Sequence, residues 1–253
     1  MSPQQASAPR DPCGPCGMCC RAYVVPICGY DIWSINRCFK IGPMEYARAL
    51  RQRQDTPHGF LLAEGGKAFI LTLDKRGKML PGAPCVFLEE STEQRSRCLI
   101  YASRPVVCQV YPMVARNGRI AEHPESLCAD GSWPRSEVER PSWSDAVQFR
   151  EDQFDVYAQA VDAWNHHVKQ HHAAYQLRDF YSYLFRLYDR IQSNSSLFEK
   201  YVSTKMVPGR EMAFHEHPAE TIGTPVLHQL ALKVADEIWQ TRGREERQSR
   251  NCL

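Results

Sequence analysis

Two rhythms of apolar and polar residues run along the chain. In the second half, Phe154, Tyr157, Val161, Trp164 and Val168 recur at steps of three and four, which predicts a helix with one apolar stripe. Leu177, Phe180, Tyr181, Leu184, Leu187, Tyr188 and Ile191 repeat the pattern. Between the two stripes the helix either breaks near Ala173 to Gln176 or runs on. A last helix is expected from Pro225, with Thr224 as its N-cap and Leu227, Leu230, Ala231, Val234 and Ile238 on its buried face. Aromatic stripes at helical spacing are read as packing faces, because such stripes ordinarily build core.

Before Pro141 the rhythm is shorter and more broken. Asp31 to Phe39 and Pro43 to Arg53 read as short helices, with Pro43 suited to a first turn. Ala68 to Leu73 reads as a strand rich in β-branched and aromatic residues. Lys75 to Lys78 offers a turn. Cys85 to Leu88 and Arg97 to Tyr101 read as two more strands joined by a polar loop. Asn117-Gly118, flanked by Val114 and Ile120, is a hairpin signal.

The expected fold class is therefore α+β: a small cysteine-rich, metal-bound module of short strands and helices, followed by a mainly α-helical C-terminal part. The expected divisions are a disordered lead over 1–12, the module over 13–135, a helical region over 141–240 and a flexible polar tail over 241–253. A loop-rich unit of this kind often needs a metal to complete its stability.

Composition narrows the function. The chain has 253 residues, with 43% hydrophobic and 24% charged, as in an ordinary globular protein. A formal net charge of +2 gives no reason to expect a nucleic-acid partner. No apolar run approaches the roughly 18 residues of a membrane span, so no membrane partner is expected. Residues 1–11 lack the apolar segment of a secretory signal, and the expected location is the cytoplasm, a reducing compartment.

Cysteine is the anomaly. Ten of the eleven cysteines fall between Cys13 and Cys128, and only Cys252 lies beyond. In a reducing compartment, clustered cysteines point to metal or redox chemistry rather than disulfides. Burial as small hydrophobes could account for Cys28, Cys38 and Cys252, but not for four cysteines within the eight residues of Cys13-x-x-Cys16-x-x-Cys19-Cys20. Successive two-residue gaps match the ferredoxin run that clamps one iron–sulfur cluster. Zinc sites more often use two separated C-x-x-C knuckles, and there is no second one here, which favours an iron–sulfur cluster over zinc. Gly14 and Gly17 suit a tight turn around the sulfurs. Cys13, Cys16 and Cys19 are expected to share one centre. Cys20, Cys85, Cys98, Cys108 and Cys128 are candidates for the remaining ligands. Arg104, Tyr101 and Tyr111 stand beside these as candidates to orient or charge-balance the site.

The order of these parts resembles the CxxCxxCC family of zinc- or iron-chelating domains, also called YkgJ-type cysteine-cluster proteins. The resemblance runs from Cys13 to Cys128. It rests on Cys13 to Cys20, Asp31-Ile-Trp-Ser-Ile35, Pro84-Cys-Val-Phe-Leu88, Cys98-Leu-Ile-Tyr101, Arg104-Pro105, Cys108 and Tyr111-Pro112. A distant relative, the flagellin lysine N-methylase, carries a similar domain. That likeness implies methyl transfer from S-adenosylmethionine to a protein substrate, as an alternative to redox or metal-dependent chemistry. A structural zinc module presenting the helical part to a protein partner is the third alternative. The chain departs from the family pattern at Ala102, where an acidic residue is usual, and at Gln109, where Arg is usual. The resemblance does not extend beyond Pro141.

Other chemistry-bearing residues are weaker candidates. His166, His167, His171 and His172 fall on a predicted helix, and His167 and His171 are spaced as a metal pair, but the helix supplies no third ligand. His215 and His217 read as surface residues. There is no phosphate-binding loop, dinucleotide fingerprint or nucleophile elbow.

Overall fold

Helix α2 (Gly29–Phe39) is set by a single carboxylate at its start. Asp31, in the first turn, accepts the Cys28 amide at 3.0 Å, one of the donors a helix start leaves without an intrahelical partner. The helix closes at Lys40, whose left-handed backbone (φ 58°) returns its N–H to the Asn36 carbonyl. The computed structural model describes residues 16–52, 56–77, 80–90, 96–116, 119–128, 140–194 and 225–250.

Around α2 the first half is built from small pieces. Helix α1 (Met18–Ala22) precedes it, and the single turn α3 (Pro43–Tyr46) follows. Strand β1 (Ala47–Arg51) pairs antiparallel with β2 (Phe69–Leu73), Ala49 opposite Leu71. Strands β3 (Leu88–Glu90) and β4 (Ser96–Cys98) form a second ribbon, and β5 (Met113–Arg116) and β6 (Arg119–Glu122) a third. A 3₁₀ turn over Tyr101–Ser103 leads into α4 (Val106–Val110). Three helices complete the chain: α5 (Arg140–His171), α6 (Leu177–Ser193) and α7 (Pro225–Arg250). Among the described residues, no helix is long and apolar enough to cross a membrane.

The α+β class and the three C-terminal helices agree with the sequence reading. The expected helix over Pro43 to Arg53 is corrected: it stops at Tyr46, and Ala47–Arg51 is β1. Ala, Arg and Leu favour helix in isolation, but five residues of ladder to β2 outweigh that preference. The ribbon expected from Cys85 to Leu88 and Arg97 to Tyr101 lies displaced, over Leu88–Glu90 and Ser96–Cys98. Leu88 donates back to the Cys85 carbonyl in a turn, which leaves Cys85 outside the strand. β5 and β6 flank Asn117-Gly118, which lies outside the described residues. The break between α5 and α6 falls where one was weighed, with His172 at φ 49°. The polar stretch expected as a flexible tail from residue 241 is instead helical as far as Arg250.

One hydrophobic core joins the two halves. Ile27, Ile32, Ile35, Phe60 and Leu71 share it with Tyr157, Trp164, Phe180, Leu184 and Tyr188 from the C-terminal helices. α2 packs on α6 so closely that a Cβ at Gly29 would stand 2.6 Å from the Tyr188 ring, so this position admits only glycine without a shift. Phe60 stacks on Phe180 with ring centroids 4.0 Å apart.

Candidate metal centre

The cysteine-bearing segments are positioned one at a time. Gly17 turns the chain into α1 with φ 57°, and a Cβ there would meet Ser96 Cβ at 3.0 Å and Leu88 Cδ1 at 3.2 Å. This turn sets Cys16 before the helix and Cys19 and Cys20 within it. Arg21 donates back to the Gly17 carbonyl at 3.2 Å and pairs with Glu90 on β3, tying α1 to the second ribbon. At the other end of α1, the Lys75 ammonium donates to the Cys20 and Arg21 carbonyls at 3.1 and 2.7 Å. The Cys85 amide also donates to the Cys20 carbonyl, at 2.9 Å, which holds Cys85 beside the cluster. Cys98 ends β4, opposite Leu88. Cys108 rides on α4, whose Val106 amide donates to Asp31 Oδ1 at 2.9 Å.

Six cysteines thereby face one cavity of about 320 Å³: Cys16, Cys19, Cys20, Cys85, Cys98 and Cys108. Much of the remaining wall is apolar, including Val25, Leu73, Phe87, Leu88, Ile100 and Val110. Cys19, Cys85, Cys98 and Cys108 are each biased towards the neutral thiol. The hydrogen bond with the Cys20 thiol, together with burial, pushes Cys19 well up. Burial pushes Cys85 up to about 11 and raises Cys98, against which Arg104 acts. Cys108 is raised well above the ordinary thiol range by burial, with the charges of Cys85, Cys19 and Cys98 adding to it. Several thiols that resist ionisation individually and oppose each other's ionisation are a donor set that a cation would deprotonate and hold together.

Arg104 supplies the positive charge at the wall. Its guanidinium lies 3.9 Å from the centre of the Tyr101 ring, and its Nε and Nη1 are buried with no hydrogen-bond partner among the described residues. Gln109 donates to the Arg104 carbonyl at 2.6 Å and so fixes the backbone at Arg104. Tyr101 is exposed and is not among the residues lining the cavity; its ring lies against the Arg104 guanidinium, which is. Tyr111 lines the cavity directly. It packs on Tyr23 with ring centroids 5.5 Å apart and accepts the Leu127 amide at 2.8 Å.

The other expected ligands stand apart. Cys128 is off the cavity, packed against Val110, Met113 and Val147. Cys13 lies outside the described residues, as do Cys252, His215 and His217. Cys28 is fully buried in the core beside Asp31, and Cys38 is exposed. The sequence reading missed Lys75 as an anchor of α1, since it stood only in an expected turn. It also missed Asp31 as the link between α2 and α4. For Asp31 a signal existed: an acidic residue three positions after Cys28 at a helix start.

One tetrahedral zinc ion draws four thiolates to about 2.3 Å from itself, hence to under about 4 Å from one another. Among the described residues, the one His, Cys, Asp or Glu trio whose ligand atoms all lie within 4.8 Å of one another is His167, His171 and Asp236, away from this cavity. Among the described residues, no three of the cavity sulfurs all lie within 4.8 Å of one another.

Residues 12–129 match a family model named CxxCxxCC and described as "Putative zinc- or iron-chelating domain", a span just short of half the chain. No curated protein and no solved structure matches the chain.

Proposed function

We propose that the cysteine-lined cavity, within the residues 12–129 that match the CxxCxxCC zinc- or iron-chelating domain, holds an iron–sulfur cluster that serves redox or metal-dependent chemistry. The observation that carries this reading is the convergence of six cysteines on one cavity of about 320 Å³, no three of them within 4.8 Å of one another. Thiolate donors suit zinc and iron–sulfur centres alike, and the spacing favours the larger, multi-atom group.

An iron–sulfur cluster, when bound, supplies one-electron transfer at a potential set by charge, sulfur hydrogen bonds and exposure. The chain's own residues act on each of these. Arg104 offers two guanidinium N–H groups, Nε and Nη1, to the negative charge of bound thiolates. The Lys75 ammonium adds positive charge behind Cys19, Cys20 and Cys85 while fixing the α1 backbone. Val25, Leu73, Phe87 and Ile100 exclude water from the sulfurs. Gly17 and the Cys85 amide hold the ligand-bearing turns in place.

Anaerobic purification, with metal and acid-labile sulfide analysis and an absorption spectrum of the same sample, tests the proposal. Iron with sulfide and broad visible absorption is the expected result. Stoichiometric zinc in a colourless protein would overturn it and leave a structural module.

A second reading has one observation in its favour. The half-buried Arg104, with Nε and Nη1 free of hydrogen-bond partners among the described residues and beside an apolar wall, suits the carboxylate of S-adenosylmethionine, as methylation of a protein substrate would require. Calorimetric titration of the metal-loaded protein with S-adenosylmethionine decides it, and no binding heat would eliminate it.

A further inference from the structure

The structure brings a third ligand to the histidine pair on α5. His167 and His171, one helical turn apart, point to the same side of α5, and Asp236 on α7 meets them there. His167 Nδ1 donates to Asp236 Oδ1 at 3.0 Å, and His171 Nε2 stands 3.7 Å from the same oxygen. The ligand atoms of all three residues lie within 4.8 Å of one another.

We propose that His167, His171 and Asp236 form a second metal site, separate from the cysteine cavity, which takes a divalent cation of the zinc class and staples α5 to α7. Two imidazoles and a carboxylate suit zinc, ferrous iron and their neighbours rather than calcium or magnesium. Both rings are held in place beforehand. His171 stacks on Trp239 with centroids 4.9 Å apart, and the His167 ring lies 4.3 Å from that of His171. His167 Nε2 faces the Tyr175 hydroxyl at 2.9 Å. That contact is the outer hydrogen bond a metal-bound histidine commonly makes through its second nitrogen.

Proton accounting closes around His167. Without the ion, Nδ1–H donates to Asp236 and Nε2 accepts from Tyr175. With the ion on Nδ1, the ring proton sits on Nε2 and donates to the Tyr175 oxygen. A hydroxyl serves in either direction, so His167 Nε2 keeps its hydrogen-bond partner in both tautomers. Burial and the neighbouring His171 lower the pKa of His167, which favours the neutral, ligating ring. The Asp236 side chain is 55% exposed, so the ion enters from solvent and its remaining coordination position takes water. Asp236 lies 69 residues beyond His167, out of reach of any local motif.

The test is a calorimetric Zn²⁺ titration of the full chain with its cysteine centre already loaded, beside His171→Asn and Asp236→Asn. Both substitutions lie at the solvent side of the site, which protects the fold. The wild type is expected to take one further equivalent, each variant to bind it at least about tenfold more weakly, and Tyr175→Phe to weaken it by about tenfold. Iron and sulfide content should stay the same in all four proteins, so this outcome is independent of the chemistry in the cysteine cavity. A wild type that takes no further zinc, or variants that take it equally well, would reduce the trio to a hydrogen-bonded relay and overturn the proposal.

Discussion

Asp31 Oδ1 accepts the amide of Val106 at 2.9 Å, across 75 residues of sequence. Its other oxygen accepts the amide of Cys28, so one buried carboxylate joins the start of α2 to the start of the helix that carries Cys108. The cysteine cavity is thereby tied to the hydrophobic core through a charged group with almost no exposure.

Burial pushes the Asp31 carboxyl up to about 6, above its value of 3.8 in the unfolded chain. Because the folded pKa is the higher one, the folded chain binds more protons between these values, and stability declines as pH rises through that window. Above pH 6 this contribution is flat. The decline should amount to about 1–3 kcal/mol. Denaturant unfolding from pH 4 to 7, taken as wild type minus Asp31→Asn, measures it. A difference independent of pH would show that Asp31 does not titrate in this range.

Lys75→Met removes both donors to the carbonyls at the end of α1 while keeping the buried stem. The Cys20 carbonyl retains the Cys85 amide, whereas the Arg21 carbonyl loses the donor that Lys75 supplied, so a stability loss of about 1–3 kcal/mol is expected. Metal affinity should fall by about tenfold, because the turn bearing Cys19 and Cys20 loses its anchor. Competition with a coloured chelator reads the affinity, and equal metal retention by the two proteins would remove Lys75 from the site.

Single Cys→Ser changes at Cys16, Cys19, Cys85, Cys98 and Cys108 should split sharply from those at Cys38 and Cys128. The first five line the cavity, whereas Cys38 is exposed and Cys128 packs against Val110 and Met113. Loss of metal per chain is expected in the first group, with retention in the second. Elemental analysis checks it, and a Cys128→Ser protein without metal would require Cys128 to reach the cavity in the loaded state.

Much of this arrangement was legible in the residues. The spacing of Cys13, Cys16 and Cys19 gave the expectation of a shared centre, and Cys16 and Cys19 do face one cavity; the three-and-four rhythm located α5, α6 and α7 because helical stripes are local. What escaped was carried by distant partners. Ala47 to Arg51 reads as helix until β2 pairs with it. Lys75 looks like any turn lysine until the end of α1 arrives above it. Cys108 and Cys128 carry the same side chain, and only the fold turns one into the cavity and the other away. Asp236 could not be linked to His167 and His171, since α5 and α7 meet only in three dimensions.

The contact between Gly29 and Tyr188 bears on how this chain can be divided. A segment ending near residue 135 would carry the cysteines but lack the aromatic wall on which α2 rests. Ile32, Ile35 and Phe60 would then face water, and the fragment would invite aggregation rather than report on metal binding. The cysteine segment is no transplantable cassette: grafted onto another protein it would need α6 to travel with it, so both halves of the chain must be inherited together.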